Sequence, residues 1–164
     1  MKAKISLAAI VLAGFILFAA CGTTSSSTKT SSSSSSSSSS TASMGYNSGT
    51  QAGSSLLFLF NQYKSTKKIN FGDFSTLGQL LNLAGSVQQI KANSKDKNFY
   101  SQFAIGMVSG SKNVVTNSTA NSVITTLLTG LDLTGISAGN NNVPASTQNT
   151  VLSGLTGLFS LFGK

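Results

Sequence analysis

Residues 71–91 constrain the fold of this chain more than any other stretch. Phe71, Phe74, Leu77, Leu81, Ala84, Val87 and Ile90 recur three and four residues apart, the period that gathers side chains on one face of an α-helix. Asn70 can serve as the N-cap. Asp73, three residues later, completes a capping-box-like start and sets a carboxylate at the positive helix end. Lys91 falls in the last turn, where a cation is favoured. Gly78 and Gly85 each cost about 1 kcal/mol relative to Ala in such a helix, a cost consistent with close approach of a neighbour.

Four further stripes share the period. Upstream, Ala52, Leu56, Leu59, Phe60 and Tyr63 precede a Lys64–Lys68 turn. Downstream, Phe99, Phe103, Met107 and Gly110 form a stripe starting near Ser94 or Asp96. A fourth segment, about 112–129, carries Val115, Ala120, Val123, Ile124, Leu127 and Leu128, with Gly130 as a stop. Its Val, Thr and Ile content also suits a strand. Residues 131–147, rich in Gly, Asn and Ser and holding Pro144, read as loop. The last stripe is Val151, Leu155, Leu158 and Phe162, ending at Gly163. Amphipathic segments joined by short polar turns predict an all-α fold, a small bundle of four to five helices over residues 44–164.

The N-terminal part reads as an address and a tether. Two lysines in Met1–Lys4 precede an apolar stretch, Ile5–Phe18, which is too short to span a bilayer and is followed by polar residues. That is the pattern of a secretory signal over residues 1–20. Residues 22–43 hold 14 Ser and five Thr, including every position from 31 to 40. Such a tract has nothing apolar to bury, so residues 21–43 are expected to form a disordered linker.

Composition excludes most chemistry. The chain has eleven Lys but no Arg, three acidic residues, all Asp, and no His or Trp. General acid–base work near neutral pH lacks its usual group. Asp73 and Asp96 lie at expected helix starts and Asp132 just past a helix end, so each has a local structural explanation. Three isolated Asp and a single Cys cannot supply a zinc shell, and no metal or other cofactor is expected. Lys68–Phe74 looks like the second half of an EF-hand, but Lys64 then stands where an acidic ligand belongs. Ser-x-x-Lys at Ser65, Ser94 and Ser109 resembles the acylating motif of penicillin-recognising enzymes, without their companion motifs. The basic balance, with no nucleic-acid motif, leaves contact with anionic lipid head groups or polysaccharide as the alternative to a merely solvated surface.

Phe18-Ala19-Ala20-Cys21 resembles the lipobox of bacterial lipoproteins, with Phe18 where Leu is usual. The resemblance implies acylation of Cys21 and membrane attachment through its acyl chains. Gly22, rather than Asp, follows the cysteine, which implies sorting to the outer membrane. Gly22–Ser27 contains no acidic residue, which implies the periplasmic face. Two further blocks, Leu59–Lys64 and Lys95–Tyr100 followed by Phe103, Gly106 and Gly110, are similar to small helical lipoproteins of Bacteroidota-type bacteria. That similarity spans about residues 50–130 and implies fold and compartment, with no functional residue transferred.

The expectation is therefore a non-enzymatic, outer-membrane-anchored structural or protein-interaction module, binding a protein partner or itself. Phe58, Phe60, Phe159, Leu161 and Phe162 are its candidate apolar contact residues. The alternative is a helical carrier enclosing a lipid or other apolar ligand, with Gly78, Gly85, Gly106 and Gly110 leaving room. The C-terminal stripe reads either as the last core helix or as a membrane-contacting peptide.

Overall fold

The computed structural model describes residues 36–137 and 142–162. Five α-helices and no strand occur among them: α1 Ser36–Thr66, α2 Phe74–Ala92, α3 Lys97–Gly110, α4 Ala120–Gly130 and α5 Ala145–Phe159. The all-α bundle is thus observed. The signal at 1–20, Cys21 and residues 22–35 lie outside the described residues, as does Gly163.

Helix α1, 31 residues long, spans about 46 Å at 1.5 Å per residue and is the scaffold for α2 and α3. It starts at Ser36, inside the tract 21–43 expected as disordered linker. The reason is cooperative: once residues 45–66 are packed, each added residue needs only propagation, not a new nucleus. Three of its sides pack, each in a different way. Ala52, Leu56 and Leu59, all fully buried, enter the core.

A second side of α1 packs on α3, backbone against backbone. A Cβ on Gly45 would stand 2.5 Å from the carbonyl oxygen of Phe99; one on Gly49 would strike that of Phe103, and one on Gly53 that of Met107. In return, Gly106 lies on the Tyr46 carbonyl and Gly110 on that of Thr50. Both helices advance four residues per contact in the same direction, so α1 and α3 run parallel. Five glycines at i, i+4 spacing remove the side chains that would hold the helices apart, and glycine Cα–H groups face carbonyl oxygens across the gap.

A third side of α1 meets α2 through a polar seam. The hydroxyl of Ser86 donates to the Ser48 carbonyl at 3.3 Å, that of Ser55 donates to Gln79 Oε1 at 2.7 Å, and Gln62 Nε2 donates to Thr76 Oγ1 at 3.0 Å. The pairing runs down α2 as it runs up α1, so these helices are antiparallel. Ser55, Ser86 and Thr76 are buried, and every buried side-chain polar atom of the described residues has a partner, as burial of such groups requires.

Three sequence expectations need correction. Helix α2 begins at Phe74 with Asp73, not Asn70, as its N-cap; the carboxylate accepts the Thr76 amide at 3.1 Å. Leu77, Leu80, Leu83, Val87 and Ile90 form its buried face, Leu81 and Ala84 are half-covered, and Phe74 is 71% exposed. With the start moved to Phe74, that residue is the first of the helix and lies across the axis from Leu80 and Leu83. Segment 112–129 is helical only from Ala120, because Lys112 and Asn113 adopt φ of 51° and 64°, a left-handed break that closes α3. Beyond it, Val115 is buried as a plug, its amide donating to the buried hydroxyl of Ser111 at 3.1 Å. Helix α5 begins at Ala145, inside the expected loop 131–147, with Pro144 before it.

Helices α4 and α5 pair with each other, and α4 also touches α2 and α3. Val123, Ile124 and Leu127 of α4, with Val151, Leu155 and Leu158 of α5, complete one core with the stripes of α1, α2 and α3. Burying large aliphatic and aromatic side chains at roughly 1.5–3 kcal/mol each supplies the main driving force.

Candidate functional site

The aromatic residues expected as a contact patch separate into two groups. Phe60 and Tyr63 of α1 meet Phe159 of α5 at ring-centroid distances of 5.4 and 5.5 Å, and Phe162 closes on Phe60 at 5.2 Å. These edge-to-face and tilted pairings are the preferred geometries for aromatic rings. Phe159, expected as an apolar contact residue, is therefore buried, at 7% exposure, and Phe60, Leu161 and Phe162 are half-buried around it. The cluster ties α1 to α5. Phe58 alone of the five is exposed, at 38%.

Phe58 belongs to the outer side of α1, together with Asn47, Gln51, Ser54 and Asn61, all exposed. No charged residue occurs from Ser36 through Tyr63. Exposed Met44 extends this side toward the N-terminus, and exposed Tyr46 flanks it on the α3 side, its hydroxyl donating to Ser109 Oγ at 3.4 Å. A long face without charge, dotted with apolar side chains, differs from an ordinary solvated helix surface, which interleaves both signs of charge.

Three surface clefts of about 570, 520 and 580 Å³ open on the described residues. The first lies between α4 and α5 over small residues such as Gly130, Ser153 and Gly154. The second lies between α3 and α4 beside Tyr100 and Asn121. The third runs along α2 from Leu81 to Lys91, opposite residues 131–136. All three are open to solvent. Gly78 and Gly85, expected to leave room inside a carrier, have open space around them on the outer side of α2, whereas Gly106 and Gly110 are filled by the α1 backbone.

The carboxylates serve their own turns. Asp96 Oδ1 accepts the amides of Asn98 and Phe99 at 2.9 and 3.1 Å, capping α3. Asp132 accepts the hydroxyl and amide of Thr134 at 2.6 and 2.9 Å. Those two hydrogen bonds, with the charge of Lys91, hold the Asp132 carboxyl below its ordinary 3.8. Among the described residues no group of His, Cys, Asp and Glu could hold a metal ion, and no helix is long and apolar enough to cross a membrane.

Exposed Phe74 is the residue that sequence periodicity missed. Gly72-Asp73-Phe74 signals the helix start, since Asp73 can cap a helix beginning at Phe74, but the burial of Leu77, Leu80 and Leu83 follows from what α2 packs against. In comparisons with known proteins, the chain matched no family profile, no curated sequence and no solved structure.

Proposed function

We propose that this chain is a non-enzymatic envelope lipoprotein, anchored in the outer membrane through acylated Cys21, whose helical domain is a structural or protein-interaction module. The observation that carries the interaction reading is the charge-free outer side of α1, with Phe58 and Met44 exposed on it. Depletion of charge together with exposed aromatic and Met side chains is the composition of an interface core, not of a rim. The packed interior supports this reading over the carrier, because the Phe and Leu stripes fill one another and the three clefts described above open outward.

The test is site-specific photocrosslinking in intact cells. A photoreactive residue at position 58 gives a discrete adduct, to a second copy or to one envelope protein, while the same group at position 89, exposed on α2 and outside the third cleft, gives none. Equal, diffuse labelling from both positions overturns the assignment of this face. For the compartment, protease added to intact cells leaves the domain whole on the periplasmic face, and its removal there places it on the cell surface.

A further inference from the structure

The turn joining α1 to α2, residues 64–74, is built as a rigid display. Lys67 adopts φ of 57° and its amide donates to the Tyr63 carbonyl at 2.7 Å, a left-handed helix end. Thr66 Oγ1 accepts the Lys68 amide at 3.2 Å and donates to the Gln62 carbonyl at 2.8 Å. Asn70 Oδ1 accepts the Gly72 amide at 3.1 Å, and Gln62 Oε1 accepts the Asn70 amide at 3.4 Å. From inside, Ile69 and Phe71 pin the loop, each less than a tenth exposed.

What this frame turns outward is chemically uniform. Lys64, Lys67 and Lys68 are all exposed, and Phe74, at the start of α2, is 71% exposed, more than any other large apolar side chain of the described residues. The one carboxylate of the turn, Asp73, faces back into the helix start, where it holds the amide and hydroxyl of Thr76. Three exposed cations and an uncovered aromatic ring in one interhelical turn, with the acid withdrawn, complement an anionic interface that is apolar just beneath its charge. The other lysine-bearing turn, at 91–97, lacks this character, because it carries no exposed large apolar side chain and Asp132 lies within reach of the charge of Lys91.

We infer that the Lys64–Phe74 turn is a membrane-docking end: the three lysines engage anionic lipid head groups and the ring of Phe74 enters the head-group region. Lysines near an anionic bilayer are attracted within about one Debye length, and an aromatic ring is favoured at that depth. This contact is independent of acylation at Cys21 and adds a second attachment to it where both operate.

The chain contains no Trp, so Phe74→Trp in the full-length protein gives a single local fluorophore at a site already open enough to accept it. On phosphatidylglycerol vesicles its emission shifts to the blue and acrylamide quenching falls. On phosphatidylcholine vesicles neither changes. Added salt, or Lys64, Lys67 and Lys68 all changed to Gln, abolishes the shift. Aqueous emission retained on phosphatidylglycerol overturns the proposal. So does an equal shift from Ile105→Trp on α3, or an equal shift produced by a soluble polyanion in place of vesicles. Far-UV circular dichroism confirms that each variant folds. Repeating the measurement on Phe74→Trp combined with Cys21→Ala separates this contact from the acyl anchor, since the fluorescence response is expected to persist without it.

Discussion

Replacing Gly49 with Ala tests whether the α1–α3 interface organises the bundle. A Cβ at this position overlaps the carbonyl oxygen of Phe103 and stands 2.8 and 2.9 Å from its carbonyl carbon and Cα. Every one of these atoms is backbone, so no rotamer change relieves the clash and α3 must retreat. Retreat also loosens the contacts at Gly45, Gly53, Gly106 and Gly110, and the cost belongs at the upper end of over-packing, about 3 kcal/mol. Ala is the better helix former by about 1 kcal/mol, which leaves a net loss of about 2 kcal/mol. Gly85 supplies the control, because nothing lies within 4 Å of a Cβ there; Gly85→Ala should gain about 0.5–1 kcal/mol. For a domain of this size the two melting temperatures should move apart, down by roughly 5–10 °C and up by roughly 2–5 °C. Urea unfolding followed by far-UV circular dichroism reads both. If Gly49→Ala is as stable as the parent, or Gly85→Ala loses as much as Gly49→Ala, the close parallel packing of α1 and α3 is not what holds these helices.

Three further outcomes are expected. Asp73→Ala removes the α2 cap and a bond to the Thr76 hydroxyl, and should cost about 1 kcal/mol in urea unfolding; no change would mean that the turn is held by Gln62 and Asn70 alone. The folded Asp132 carboxyl lies below 3.8, so as pH falls the unfolded chain takes up its proton first. Its contribution is therefore whole above that value and is lost as pH drops through the folded one. A plot of urea midpoint against pH should accordingly fall less steeply at acid pH for Asp132→Asn. Cys21→Ala should abolish acyl labelling and detergent partitioning of the chain; unchanged partitioning would remove the lipid anchor from the proposed function.

The site was less legible than the fold. Periodicity located the cores of all five helices, because burying an apolar stripe imposes the 3.6-residue repeat wherever the stripe faces. The ends were harder. Nothing in a serine tract announces that α1 extends back to Ser36, since that extension draws on packing farther along the helix. Phe74 and Leu81 fit the apolar repeat of α2 as well as Leu80 and Leu83 do, and only packing against α1 and α4 separates the two faces. The contact residues suffered similarly. Phe58 and Phe60 are two positions apart on one helix, yet one is exposed and the other joins Phe159 and Phe162.

By itself the sequence determined an all-helical domain, the placing of Asp96 at a helix start and of Asp132 just past a helix end, and the want of histidine, because composition and local hydrogen bonding settle these without reference to distant residues. The tertiary structure alone decided which glycines matter. Gly85 and Gly49 are both helical glycines, but one faces open space and the other carries the carbonyl of Phe103. That distinction depends on what lies across the interface, and a glycine, having no side chain of its own, leaves no mark in the sequence of the partner it admits.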